Sequence, residues 1–274
     1  TGFVCKSTYP NNDITPMFST LKSLLLPTSK QWQAHDFSGI DQLHLGGIGS
    51  TQELITWLPS DLKRGLDIGC GLGGTSRYLA LHKGCSMTGL DLNDDYIRCA
   101  TLLNQSLTTV PDCHFVVGNS LTLPFSARSF DFVVSQHASM NIDNKGDLLT
   151  GIFKVLNDGG QFLLHEVMLQ PNINPDCVDY PTPWASNIAA SHLLEWQQFV
   201  DEAIAVGFTL TQFEDNTASA LNWIRQTRKT KPKPPFTPLL ALGPTAGAMS
   251  ANVLANIEHG RLQVVSALLS KQPA

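Results

Sequence analysis

The sequence predicts an α/β fold: a doubly wound sheet of seven strands, mostly parallel, with helices on both faces. Three observations predict it. Between Leu62 and Leu169 short apolar runs alternate with helical patterns, each change marked by Gly, Asp or Asn, as consecutive βαβ units read. The first strand-like run passes straight into a glycine-rich turn. Two more helix-and-strand units follow downstream, so the sheet continues beyond its fifth strand.

Taken in order, residues 36–49 read as a loop, and Ser50 followed by Glu53 is spaced as a capping box ahead of Leu54, Ile55 and Leu58. Strands are expected at residues 65–68, 86–92, 113–118, 130–136 and 161–167. Helices fall between them near 75–83, 94–107 and 145–156, with Gly84 and Gly159 as helix stops. Residues 191–206 carry Leu194, Phe199, Ala203 and Val206 near helical spacing, stop at Gly207 and lead into a strand at 208–213. A last helix at 251–259, the stop Gly260 and an apolar strand at 262–269 complete the count. Two proline-rich stretches, 170–187 and 227–244, interrupt this order as irregular excursions. Both follow strand ends, where ligand-covering loops sit in open α/β sheets. The organisation expected is therefore a helical or lid segment over residues 1–60 and a main domain over 61–274, with lid excursions near 170–190 and 227–250.

Composition excludes several classes. With 42% apolar and 15% charged residues, against about 25% charged in an average soluble chain, a core is assured and disorder is not. A net charge of -5 opposes binding to a phosphate backbone. No apolar run approaches the roughly 20 residues of a membrane span, and the first six residues lack a signal-peptide core. Six scattered cysteines without a CxxC pair read as reduced thiols, hence a cytoplasmic protein, acting alone or as a homodimer.

The most informative stretch is Leu66-Asp67-Ile68-Gly69-Cys70-Gly71-Leu72-Gly73-Gly74. Glycines at 69 and 71 allow backbone angles and close approach that a Cβ forbids, and the helix that follows offers unpaired N–H donors. Gly69, Gly71 and Gly74 also satisfy GxGxxG, a weak signal by itself. Asp67 sharpens it: a carboxylate at the strand tip receives a cationic amino group or anchors the turn, and repels a diphosphate. Asp91 ends the second strand about 20 residues after the glycine turn, where a ribose diol would lie; its other reading is a helix cap.

These residues together resemble the class I S-adenosylmethionine-dependent methyltransferases, where DxGxGxG opens the cofactor site and an acid ends the second strand. Further matches are Gly118-Asn119-Ser120 with Leu123-Pro124-Phe125, then Ser129-Phe130-Asp131-Phe132-Val133-Val134, then Val155-Leu156-Asn157-Asp158-Gly159-Gly160. The resemblance implies a Rossmann-like methyltransferase fold over most of the chain, ending in a seventh strand inserted antiparallel, with S-adenosylmethionine as cofactor. It implies that Asp67, Gly69, Cys70 and Gly71 hold the methionine end, with Gln136 nearby. Asp91 and Leu92 meet the ribose, and Asn119, Ser120 and Leu121 the adenine. Asn119 departs from the usual Asp, although its amide oxygen still accepts a hydrogen bond. The segments 41–47, 136–142 and 180–185 are similar to the small-molecule subgroup called methyltransferase type 11, whose neighbourhood includes sarcosine and dimethylglycine methyltransferases and quinone or tocopherol methyltransferases.

Methyl transfer is an in-line displacement, so the protein chiefly positions an electron-rich atom about 3 Å from the methyl carbon. The resemblance favours a nitrogen acceptor such as a glycine-like amine, ahead of oxygen or carbon in a quinol or phenol. An amine would need deprotonation, and His137 is the first candidate base, then His44, then His165 with Glu166. Tyr180 and Trp184 are candidate walls of the acceptor site. Arg225 and Arg228 either hold a substrate carboxylate or belong to a solvated helix face. No metal site is expected: Asp91 to Asp95 suggest a calcium loop, but Tyr96 and Leu102 stand where Gly and Glu are needed. A nicotinamide-dependent oxidoreductase would share the glycine turn, yet neither Tyr78 nor Tyr180 has a Lys four residues on; no GxSxG suggests a hydrolase. A non-catalytic cofactor-binding protein on the same fold is the third alternative.

Overall fold

The computed structural model describes residues 14–26, 30–230 and 234–273. The chain runs through α1 (Ile14–Leu25), α2 (Ser38–Asp41), α3 (Gly47–Leu54), β1 (Arg64–Ile68), α4 (Gly74–Lys83), β2 (Ser86–Asp91), α5 (Asp94–Gln105), β3 (Cys113–Val117) and β4 (Phe130–Gln136). It continues with α6 (Lys145–Val155), β5 (Leu156–Leu169), α7 (Trp196–Val206), β6 (Phe208–Asp215), α8 (Thr217–Thr227), α9 (Pro238–Leu242), α10 (Ala246–Glu258) and β7 (Leu262–Lys271). The seven strands form one sheet in the order β3-β2-β1-β4-β5-β7-β6. β1 to β5 are parallel, and β7 enters antiparallel between β5 and β6. The strand order reverses between β1 and β4, and a doubly wound sheet opens a crevice at the carboxyl ends of such a pair.

Both faces of the sheet are buried at its centre, in β1, β2, β4, β5 and β7, which is why these strands read as nearly continuous apolar runs, whereas the edge strands β3 and β6 are more exposed. In β4, Val133 packs on one face with Leu148, Leu149 and Ile152 of α6, while Phe132 and Val134 pack on the other with Leu54 and Leu79. β5 divides the same way, Phe162 and Leu164 against Leu163. α1 lays Met17, Leu21 and Leu25 on Cys99 and Leu103 of α5. The N-terminal segment is further tied down by an ion pair, Arg77 Nη2 to Asp41 Oδ2 at 2.7 Å, both side chains out of water. Arg77 also donates to the carbonyls of Leu72, at 2.6 Å, and Ala100, at 3.2 Å, so one side chain joins segment, glycine turn and α5.

Several boundaries differ from expectation for identifiable reasons. Gly159 does not stop a helix: α6 ends at Val155 with Leu156 already extended, and Gly159, at φ 76°, lies where the β4–β5 register shifts. Ser50 lies inside α3 instead of capping it; the cap position is Gly46 at φ 90°, and the Ser50 hydroxyl donates back to the carbonyl of Gly47 at 2.8 Å. Residues 36–49, expected as loop, contain α2 and the first turn of α3. α7 begins at Trp196 behind Glu195, five residues later than expected, and α10 begins at Ala246, five residues earlier. Three further helices, α1, α8 and α9, lie outside the individual elements expected. Cys5, Lys231 and Lys233 lie outside the described residues; the other five cysteines are free.

Candidate functional site

The glycine turn after β1 is fixed by backbone hydrogen bonds. Gly69 and Cys70 N–H both donate to the carbonyl of Leu90, at 2.8 and 3.1 Å, and Gly73 N–H donates to that of Cys70 at 2.8 Å. Gly69, Gly71 and Gly73 have φ of 71°, 52° and 78°, a region that side chains resist. A Cβ at Gly69 would collide with Ala138 and one at Gly73 with Phe115, whereas Gly71 faces open space. Of the three, Gly71 is where a ligand can meet bare backbone.

Asp91 braces this turn. Its Oδ2 accepts from Gly71 N–H and its Oδ1 from Asn93 N–H, both at 2.9 Å. The helix-cap role belongs to Asn93, whose side chain accepts from the N–H groups of Asp95 and Tyr96 at the start of α5. Burial raises the pKa of Asp91, against three backbone hydrogen bonds that lower it. Next to it, Gly118 N–H donates to the Asp91 carbonyl at 2.9 Å, which brings Asn119 alongside. Asn119 accepts from Leu121 N–H at 2.9 Å and caps the short turn Ser120–Thr122; Leu92 stands half exposed nearby in sequence.

A cavity of about 130 Å³ opens at the β1/β4 reversal. It gathers Asp67, Gly69, Cys70 and Gly71 from the first turn, Gln136 and His137 from the end of β4, His44 from the N-terminal segment and Trp184 from the first excursion. Asp91, Leu92, Asn119, Ser120, Leu121 and Tyr180 do not line it. Tyr180 packs instead with Trp184 and Val253 in the cluster beneath the excursion, and Trp184 donates its Nε1–H to Ser191 Oγ at 3.2 Å. Arg225 is turned to a surface ion pair with Glu258 at 2.7 Å.

The cavity wall is unusually rich in polar atoms without partners. Eight buried side-chain N or O atoms lack a hydrogen bond among the described residues, and four belong to this wall: Asp41 Oδ1, Gln136 Nε2, His137 Nε2 and Asn141 Oδ1. Buried polar groups are normally satisfied, so such a concentration calls for a ligand or water. Gln136 is oriented by its other end, since its Oε1 accepts from Thr75 Oγ1 at 2.6 Å. Asp67 accepts from Ser76 Oγ at 2.6 Å. Burial, reinforced by the charge of Asp91, pushes the Asp67 pKa up to about 7.

Three histidines meet here. The rings of His137 and His165 are stacked 5.3 Å apart, and His44 lies 6.0 and 6.1 Å from them. Burial holds all three neutral: His44 is lowered to about 3, His165 to about 4, and His137 well below the usual value. His44 Nε2–H donates to the Gly47 carbonyl at 2.9 Å, so its Nδ1 keeps the lone pair. His165 Nε2–H donates to the Leu45 carbonyl at 2.9 Å, and its Nδ1 lies 2.9 Å from Ser266 Oγ, whose hydroxyl donates to Asn216 Oδ1 at 2.5 Å. Glu166 is likewise engaged with Ser135 Oγ, at 2.7 Å, and the N–H groups of Ala138 and Ser139, at 3.3 and 3.2 Å. Both therefore support the loop that carries His137, which itself adopts φ 53°.

Sequence reasoning missed Asn141, Thr75 and the Arg77–Asp41 pair. Thr75 stood in plain view after the last glycine of the turn; Asn141 lay within the singled-out segment 136–142 without a role of its own, and Arg77 gave no signal, since a cation on a helix is ordinarily solvated.

The architecture is that of a doubly wound α/β protein with its ligand crevice at the switch point. Residues 66–164, which span β1 to most of β5, match the family model described as a methyltransferase domain. A 24-methylenesterol C-methyltransferase of Oryza sativa subsp. japonica is 35% identical over 101 residues, 37% of this chain and 28% of that protein. A phosphoethanolamine N-methyltransferase of Triticum aestivum is 31% identical over 129 residues, 46% of this chain and 25% of that protein. The matched part thus spans well under half of these relatives. A crystal structure described as a sarcosine dimethylglycine methyltransferase from Galdieria sulphuraria superposes with a TM-score of 0.69 at 17% identity, over 82% of this chain and 85% of that one. At that identity the likeness concerns the fold alone.

Proposed function

We propose that this chain transfers a methyl group from S-adenosylmethionine to a small-molecule acceptor. The observation that carries this reading is the cavity wall at the switch point, where a glycine turn with an open face meets unpartnered donors and acceptors on the facing wall. The methionine end of the cofactor is zwitterionic. Its ammonium suits Asp67 and the free Oδ1 of Asp41, and its carboxylate suits the free Nε2 of Gln136. A diphosphate would meet two acids and no lysine or arginine among the described lining residues. Asp91 and Asn119 continue the site along the ends of β2 and β3 as candidate ribose and adenine partners.

The bound cofactor supplies an electrophilic methyl carbon on a sulfonium. The protein's part is to hold the acceptor in line with it, exclude water, and receive a hydrogen bond or proton from the acceptor at a neutral imidazole. His137 and His44 both line the cavity and are the candidates. The nitrogen acceptor suggested by resemblance, and a carbon or oxygen acceptor, share these needs. A cytoplasmic location accords with the free cysteines, and no helix among the described residues is long and apolar enough to cross a membrane. Light scattering decides between a monomer and a homodimer.

Titration calorimetry with S-adenosylmethionine and with NAD tests the cofactor. Wild type is expected to bind the first and not the second, and Asp91→Ala to lose at least tenfold in affinity because it frees the Gly71 turn as well as removing the ribose partner. Tight NAD binding without S-adenosylmethionine binding would overturn the reading.

A further inference from the structure

A second cavity adjoins the first. Its volume is about 670 Å³, within the range of small-molecule sites, and the two cavities share Leu43, Pro183 and Leu242 in their walls. The larger one is a channel whose sides are chiefly apolar, with Trp32, Phe236, Trp223, Ile224 and Val253 among them. Its lysine, Lys30, sits over the Trp32 ring, Nζ 3.8 Å from the centroid, at an exposed edge. The smaller bay has no lysine or arginine in its described wall. Its carboxylate Asp41 is already paired with Arg77, and its histidines are neutral. A carboxylate or phosphate on the acceptor would therefore enter without a counter-charge, at a desolvation cost nothing offsets. Once the methionine end of the cofactor has used Gln136 and Asp41, Asn141 Oδ1 and His137 Nε2 remain unpartnered. Asn141 Oδ1 can only accept, and His137 Nε2 accepts when the ring proton sits on Nδ1, so a group that meets either must carry a hydrogen to donate.

We propose that the acceptor is an elongated, uncharged, largely apolar molecule whose hydroxyl end enters the bay and donates to Nε2 of His137 while its tail lies in the channel. This rests on the methyltransferase reading above and deepens it. On transfer the hydroxyl oxygen bonds to the methyl carbon, the carbon–sulfur electron pair returns to sulfur, and the hydroxyl proton passes to Nε2 of neutral His137 and then to water. The positive charge moves from sulfonium to imidazole, so the total charge of the buried site does not change during the step.

The test uses 4-alkylphenols of increasing tail length, with glycine, sarcosine and phosphoethanolamine as charged alternatives. Two readouts are taken: calorimetric affinity of each compound for the cofactor-free protein, and S-adenosylhomocysteine formation with S-adenosylmethionine present. Affinity and kcat/KM are expected to rise about fourfold per methylene until the channel is filled. Ser250→Trp, which narrows the channel from α10, is expected to lower kcat/KM for octylphenol at least tenfold more than for phenol. Preference for any charged acceptor, rates independent of tail length, or turnover of isoprenoid alkenes with none of any phenol would overturn the proposal. A parallel titration without S-adenosylmethionine binding would instead overturn the reading beneath it.

Discussion

The two sides of the crevice are built in different ways. On the β1–β2 side, the glycine turn and Asp91 lie within 25 residues of one another and are braced by backbone hydrogen bonds, so each residue's conformation follows from its neighbours. On the β4 side, the wall is assembled from the N-terminal segment, the loop after β4, the first excursion and α9. Its polar atoms are partly unpartnered, its histidines are desolvated, and its cohesion depends on single buried contacts.

The sharpest way to break the contrast is at the contact that ties the assembled side to the local one. Arg77→Met leaves the Asp41 carboxylate buried without a partner and also abandons the Leu72 and Ala100 carbonyls. A loss of about 3–5 kcal/mol in urea unfolding is expected. A change under about 1 kcal/mol would mean that the N-terminal segment does not depend on the pair.

Next in size is the pH dependence, where the two sides act in opposite directions. His44 and His165 titrate near 3 and 4 in the fold, below their unfolded value of about 6.5. Their contribution to stability is complete above about pH 6.5 and is lost as pH falls toward 4 and 3, by up to about 1.4 kcal/mol per pH unit for each ring. Asp67 behaves the other way. Its folded pKa of about 7 lies above the unfolded value, so stability is lost as pH rises from about 4 through 7. Asp67→Asn keeps an acceptor for Ser76 and removes this opposing trend. The variant is expected to be more stable than wild type at pH 8, to lose stability more steeply in acid, and to bind S-adenosylmethionine more weakly. Unchanged acid and alkaline limbs in thermal scans would refute the assignment of Asp67.

The smallest expected effect sharpens the boundary of the site. Tyr180 lies outside the cavity wall, and its hydroxyl interacts with Ser191. Tyr180→Phe should cost no more than about 1 kcal/mol of stability and leave cofactor affinity within twofold. A larger loss of affinity would bring Tyr180 back into the site.

Legibility followed the same division. The central strands were readable because both faces of a parallel sheet demand apolar side chains, and β4 was read to the residue, whereas β5 begins five residues before the expected 161. The glycine turn and Asp91 were readable because positive φ and strand-end acids carry their own residue types. Asn93 resolved the cap ambiguity at Asp91 only once hydrogen bonds were visible. Gly159 misled because a glycine at φ 76° serves a register shift between strands as readily as a helix end. α1 was missed although Met17, Leu21 and Leu25 recur at helical spacing, and α9 because its five residues are too few to show a period.

Local chemistry in the chain is sufficient for the positions of the strands and turns and for the cradle at β1, since these depend on apolar runs, steric limits at glycine and hydrogen bonds between β1 and β2. Which of eight histidines approach one another, which amide is left without a partner, and which residues two neighbouring cavities share were settled only by packing among segments distant in sequence. Such long-range contacts leave no periodic trace, because the same side chain in water and in a desolvated wall is encoded by the same residue.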